Sequence, residues 1–380
     1  MKWQSIKKLH DHKEGKTMNE KFARPFDLGA FSEQEKMLLR TDFSYKKQMS
    51  QIYKEAREAA KRKTCYYCGK PVTSFCNSHS VPRFCLENIA IQGDVLTLNT
   101  IVDNPLMDSK SGIKKAGTFH LICNECDSKI FSDYENPDNY YTQPTAKMIA
   151  QMALKNALKS IHKRLFEIEL FRITAKRNES ARSFVGVKNG INEIDLNEYE
   201  NSYKKAKKAL EKNKTDAYYV CFYEKLDYVV PIAFQGSVAL VSDFEGKLIN
   251  NIYDPSPKYV IQNIHISILP LKSETIVTMF IENGDRRYRN FYKQFKKLSL
   301  YDKLAALTYI IFLYSEDMYF SKTIAREVNA SKTLCNAGKT SSDILSPTPF
   351  FNPFEALKES HDLNKRHEIP NLLSEKYKIV

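Results

Sequence analysis

Two cysteine pairs carry the clearest chemistry in this chain: Cys65-Tyr-Tyr-Cys68 and Cys123-Asn-Glu-Cys126. Two residues between thiolates let one tight turn aim both sulfurs at a single ion, and two such turns complete a tetrahedral shell. Gly69, directly after the first pair, suits that turn because glycine tolerates positive φ. Four thiolates select zinc and leave no open position on it, so the Zn²⁺ expected here is structural. The 54 residues between the pairs exceed ordinary zinc-ribbon spacing, so an insertion must loop out between them. A local alternative stays open. Cys76-Asn-Ser-His79 is itself a CxxH, so Cys65, Cys68, Cys76 and His79 form a rival set, leaving Cys123 and Cys126 to another ligand such as His120. The two sets give His79 incompatible roles, because a metal-bound imidazole cannot also act as a base.

Around these pairs lie Asn77-Ser78-His79-Ser80-Val81-Pro82, His120-Leu-Ile-Cys123 and Cys126-Asp127-Ser-Lys129. The order CxxC, histidine, proline, CxxC resembles the zinc-braced HNH endonucleases over about residues 65–140. Such enzymes hydrolyse a phosphodiester with a base that deprotonates water and a divalent cation that stabilises charge on the phosphate. The resemblance implies a small ββα-metal module with His79 as the base at the end of a strand. It places Asp127, opening the helix after Cys126, in the metal-ligand position usually held by His or Asn. Glu135 is then a further oxygen ligand, with Asp133 beside it, and Mg²⁺ or Mn²⁺ is the implied catalytic cofactor. The match is incomplete at two points. Ser78 stands where the family carries an acidic residue, and the middle asparagine has no counterpart, Thr118 or His120 occupying its neighbourhood. The implied activity is a metal-dependent endonuclease acting on DNA, with RNA as the alternative substrate, in bacterial or phage-related defence. The competing class is a non-catalytic, zinc-stabilised nucleic-acid-binding or interaction protein.

A polyanionic partner agrees with the charge. The chain of 380 residues has 58 Lys and Arg against 45 Asp and Glu, a formal net of +13, which favours nucleic acid. Cations and aromatics mix most densely over 285–297, where Arg286, Arg287, Arg289 and Lys293 are candidate phosphate contacts and Tyr288 or Tyr292 a stacking surface. The same spacing also suits an amphipathic helix with Phe291 and Phe295 turned inward. A regulatory protein partner or a homo-oligomer is a further expectation.

The elements that must hold these groups follow from periodicity. Residues 1–64 read as a basic, mostly helical segment, with Ser32 and Glu35 forming a capping box. The zinc-braced module takes 65–140, including a strand-like run from Val95 to Val102. A helical connector takes 141–215. Pro144 reads as its N1 residue, Ile149, Met152, Ala153, Ala157, Ile161, Leu165 and Ile168 form an apolar stripe, and Lys147, Lys155, Lys159, Lys163 and Arg164 form the opposite face. Leu196 to Lys212 reads as a second, lysine-rich surface helix. An α+β domain takes 216–325, with strands at 217–223, 228–234, 238–241, 259–269 and 275–282 and a helix from Ser299 to about Tyr319, its start marked by Ser299 and Asp302. The tail, 326–380, is punctuated by Pro347, Pro349 and Pro353 and reads as loosely structured. The expected fold class is therefore α+β: an HNH-like module between helical segments, then a β-rich domain with a packed helix. The apolar run Leu304–Tyr314 is too short to span a bilayer. With no apolar core in the first sixteen residues, a cytoplasmic location follows, where eight cysteines are better read as metal ligands than as disulfides.

Overall fold

The computed structural model describes residues 37, 41–98, 110–177, 182–252, 254, 256, 258–343 and 359–379. The Ser32–Glu35 capping box, the Val95–Val102 run beyond Leu98, and Pro347, Pro349 and Pro353 lie outside the described residues. The chain mixes helix and sheet. In order, the elements are α1 (Phe43–Ala60), β1 (Ser78–His79), α2 (Arg83–Ile89), β2 (Asp94–Thr97), β3 (Lys110–Gly112), β4 (Thr118–Phe119) and α3 (Asn124–Ile130). There follow α4 (Ala146–Arg177), α5 (Arg182–Glu211), β5 (Tyr218–Leu226), β6 (Ile232–Val238), β7 (Ile264–Pro270) and β8 (Thr275–Glu282). The last are α6 (Arg289–Lys297), α7 (Leu300–Tyr314), β9 (Met318–Phe320), α8 (Ala325–Ala330) and α9 (Lys332–Asp343). No helix among the described residues is long and apolar enough to cross a membrane.

A seven-stranded sheet in the order β3-β2-β9-β6-β7-β8-β5 organises the molecule, and each of its pairings is antiparallel. Its strands alternate between two cores, as the period of two requires. Ile264, Ile266 and Ile268 of β7, with Val277 and Met279 of β8, enter one core, shared with Phe291, Phe295 and the apolar face of α7. Leu269, Ile276 and Phe280 enter the other, shared with Met148, Met152 and Leu158 of α4. Covering both faces explains why β7 and β8 read as almost unbroken apolar runs. The insertion between the cysteine pairs joins this sheet: Leu96 pairs with Phe320, and Thr97 with Tyr319. One sheet therefore runs across the boundaries drawn by composition at 140 and 215.

Several expectations change in detail. Val238–Val241 makes no separate strand, although Leu240 and Val241 are buried. The helix opened by Ser299 stops at Tyr314, and Met318–Phe320 becomes the strand that receives the insertion. Its capping box forms as expected, with Asp302 N–H donating to Ser299 Oγ at 3.1 Å. In α4 the cap is Thr145, whose Oγ1 accepts from Met148 N–H at 3.3 Å, so Pro144 lies before the helix and not at N1. The tail is ordered over its described parts: α8 and α9 follow β9, and Leu363, Leu372 and Leu373 are buried in the same core as α7.

The largest difference concerns the cationic row of α4. Lys147 is exposed, but Lys155 is fully buried, and Lys159, Lys163 and Arg164 lie against acidic partners on other elements. Lys159 pairs with Asp317 at 2.9 Å, Lys163 with Glu316 at 2.9 Å, and Arg164 with Asp195 at 3.0 Å. The helix is packed nearly all round, so these cations face protein. Lys155, Lys159 and Arg164 are thereby enclosed among protein groups, while Lys163 and Lys147 keep part of their side chains in solvent beside their acidic partners.

Candidate functional site

The four sulfurs of Cys65, Cys68, Cys123 and Cys126 lie within 4.8 Å of one another. Zinc at about 2.3 Å from each of four sulfurs separates them by about 3.8 Å, so a small closure suffices. The donor set fits a structural metal ion such as zinc. Local folding makes the first turn: Gly69 N–H donates to Cys65 O at 2.9 Å with Gly69 at φ 73°. The second pair opens α3 (Cys123, then Asn124–Ile130), and Cys123 N–H donates to Cys65 Sγ at 3.3 Å. Burial opposes ionisation of the Cys65 thiol, but the backbone N–H groups of Cys68, Cys123 and Tyr67 outweigh it and bring the thiol down to about 7. Helix α5 braces the first turn through Tyr203 Oη to Tyr66 O at 3.2 Å and Lys207 Nζ to Tyr67 O at 2.9 Å. Cys76 and His79 belong to no such group among the described residues, which removes the rival ligand set.

Beside this frame, β1 and β4 form a two-stranded antiparallel pair matching Ser78 with Phe119 and His79 with Thr118, and α3 follows. Gly117, just before β4, accepts from Ser80 N–H at 2.9 Å and sits at φ 65°, where a Cβ would come to 2.3 Å from Tyr319 Oη. His79 is partly exposed, and its Nε2 lies 3.0 Å from Ile113 O. A carbonyl only accepts, so Nε2 is the donor, and in the neutral ring Nδ1 is the atom that holds the lone pair. His120 is turned elsewhere: its Nε2 lies 2.6 Å from Asn77 Oδ1, and its ring centroid is 6.3 Å from that of His162. Burial, with a smaller contribution from Lys61, lowers the His120 pKa.

Asp127 and Glu135 do come together, but around an ammonium. Lys155 Nζ lies 2.9 Å from Asp127 Oδ1, 2.9 Å from Glu135 Oε1 and 2.8 Å from Ser78 Oγ. Its side chain is 0% exposed and sits over the Phe131 ring at 3.7 Å. The other Asp127 oxygen accepts from Cys76 Sγ at 3.3 Å, and Ser78 Oγ donates to Asp127 Oδ1. Asp133 is engaged separately, by Lys147 at 2.9 Å and Gln151 at 2.7 Å. A divalent cation would need the same oxygens that hold Lys155, and a 2+ ion beside a buried ammonium is strongly repelled. The residues present do not fit a catalytic Mg²⁺ or Mn²⁺.

Sequence reasoning missed Lys155, having placed it on a solvated face. Its row on the helix, with Gln151 and Lys159 one turn away on either side, is polar, so periodicity alone gave no signal that this row is enclosed.

The candidate nucleic-acid contacts divide. Arg286, Arg289 and Lys293 are exposed on and before α6, with Lys296 and Lys297. Arg287 is committed to structure, donating to Val260 O at 2.9 Å and Asn250 Oδ1 at 3.1 Å and lying over the Tyr259 ring. Tyr288 is buried with Phe291 and Phe295, leaving no stacking face. Tyr292 packs edge-on against Tyr219, which is 47% exposed.

Comparison of the chain with protein-family models, curated proteins and solved structures returns no match.

Proposed function

We propose that this protein is a zinc-stabilised nucleic-acid-binding protein whose HNH-like module holds an internal ammonium where nuclease relatives hold a catalytic cation. The observation that carries this reading is Lys155 Nζ, buried within 2.9 Å of both Asp127 and Glu135. Binding is supported by the net charge of +13 and by the exposed Arg286, just before α6, and Arg289 and Lys293 on it. Tyr219 beside them offers an aromatic face on which an unpaired base can stack. The test is a gel-shift titration of purified protein with a single-stranded oligonucleotide and with plasmid, each at low and high salt, in Mg²⁺ and in Mn²⁺. Binding that weakens steeply with salt and leaves plasmid intact is the expected result.

A second reading, a phosphodiester hydrolase, is favoured by His79. Its Nε2–H to the Ile113 carbonyl leaves Nδ1 as a free proton acceptor on a partly exposed ring, the arrangement a general base needs. Plasmid nicking that His79→Ala abolishes would replace the first reading with this one.

A further inference from the structure

Between α5 and the adjoining ends of β5, β7 and β8 lies a cavity of about 310 Å³, none of whose lining residues belongs to the cysteine frame. That volume is at the small end of ligand pockets. Glu198, Asn201, Ser202 and Lys205 line it from α5, at spacings that put them on one helix face. Tyr218, His265 and Asp285 line it from the sheet side. The His265 ring stacks on Phe280, and its Nδ1 lies 3.1 Å from Asn156 Nδ2; burial holds this imidazole down to about 4, so it is neutral.

The charges in this cavity are unequally satisfied. Glu282 is paired with Lys205 at 2.7 Å. Glu198 accepts the Ile261 N–H at 3.2 Å. The Asp285 carboxyl has no hydrogen-bond or ion-pair partner among the described residues, and burial, reinforced by Glu282, pushes it up to about 6 against the weaker attraction of Lys205 and Arg287. On the cationic side, Arg287 is committed to Val260, Asn250 and Tyr259, Lys205 to Glu282, and Lys258 is exposed at the rim. The lining therefore holds an unmatched carboxylate beside an aromatic wall of Tyr218 and neutral His265, whose rings meet edge-on at 6.0 Å. A carboxylate supplies charge and hydrogen-bond acceptance, and an aromatic face attracts a cation.

We propose that this cavity binds a small organic cation, a primary amine or guanidinium on a short chain, with Asp285 as the counter-ion and Tyr218 and His265 as the wall. The site is independent of the nucleic-acid reading and stands whether or not that reading survives.

The experiment is isothermal titration of the full chain with agmatine, with putrescine and with AMP as the anionic probe, repeated on Asp285→Asn. Agmatine or putrescine binding at one equivalent, AMP giving no heat, and a roughly tenfold or greater loss of affinity in Asp285→Asn are expected. The variant replaces a half-buried carboxylate that makes no ion pair with a neutral amide of the same shape, so its thermal midpoint without ligand should match or exceed that of wild type. Absence of heat for both cations at millimolar concentration, preference for AMP, or equal cation affinity in a folded Asp285→Asn overturns the proposal. Should the variant fail to fold, the wild-type comparison of cations with AMP decides alone.

Discussion

Replacing Lys155 with methionine removes one ammonium and keeps most of the side-chain volume. Methionine sulfur can stay against the Phe131 ring that Lys155 Nζ now approaches at 3.7 Å, so packing is largely preserved. What is lost is the counter-charge of two carboxylates, each 2.9 Å away, and a 2.8 Å hydrogen bond to Ser78. Removing one partner of a buried ion pair costs about 3–5 kcal/mol, because the remaining charge keeps its desolvation penalty. The Asp127 side chain is 15% exposed and that of Glu135 29%, so Glu135 can partly rehydrate and the lower end applies. Lys155→Met should therefore lose about 3 kcal/mol in urea unfolding of zinc-loaded protein. The vacated oxygens then form a site for a hard cation, and Mn²⁺ at a hundredfold over its dissociation constant should restore about 2.7 kcal/mol. Wild type should gain nothing from Mn²⁺, and adding Asp127→Asn to the variant should abolish the rescue. A Lys155→Met protein within about 1 kcal/mol of wild type would show that the network is not the buried, coupled set described. Equal stabilisation of wild type by Mn²⁺ would show that a divalent ion coexists with the lysine, which refutes the exclusion.

Metal analysis separates the two ligand sets: Cys123→Ala should lose zinc and Cys76→Ala should retain one equivalent per chain, since only the former lies in the four-sulfur group. Arg289→Glu with Lys293→Glu, both exposed, should weaken oligonucleotide binding and reduce its salt slope by about 2, without moving the thermal midpoint. Stability should fall as pH drops below the unfolded histidine value of about 6.5, because burial holds folded His265 and His162 down to about 4 while the unfolded chain takes up protons. For His265 the loss at about pH 5 is roughly 2 kcal/mol, and His265→Gln should remove that much of the fall in urea unfolding free energy between about pH 7 and about pH 5. Asp285 acts in the opposite sense: with its folded pKa raised to about 6, its contribution to stability grows as pH falls through that value, partly offsetting the histidines.

Legibility differed between covalent spacing and tertiary company. The cysteine frame was readable because ligand spacing is a local property, and so was the start of α7, where Ser299 and Asp302 form their cap. Strand β8 was placed to the residue by its apolar run and the turn at Asn283-Gly284, whereas β7, expected from 259, starts only at Ile264. The fate of Lys155, Lys159 and Lys163 was not readable as solvation or burial from periodicity alone. Their spacing of four puts them on one helix face, but whether that face meets water depends on Asp127, Asp317 and Glu316, which arrive from other elements. Joining β2 to β9 was invisible for the same reason, since the Leu96–Phe320 pairing spans most of the chain.

The ammonium and the cysteine frame act on the same helix from two sides. The frame fixes the start of α3 through Cys123 and Cys126, and Lys155 on α4 grips Asp127, the next residue along. A buried ion set is a poor source of net stability compared with apolar packing, because desolvation offsets most of its Coulomb gain. Its advantage is geometric. An ammonium with three oxygen partners at 2.8–2.9 Å tolerates little sliding, so it sets the register of α3 against α4, and Ser78 carries that register into β1 and His79. An acidic residue at 78 would bring a third carboxylate against one ammonium and favour a divalent ion instead. Serine at that position adds an acceptor for the ammonium without adding charge, so two carboxylates share one lysine and the set stays close to neutral.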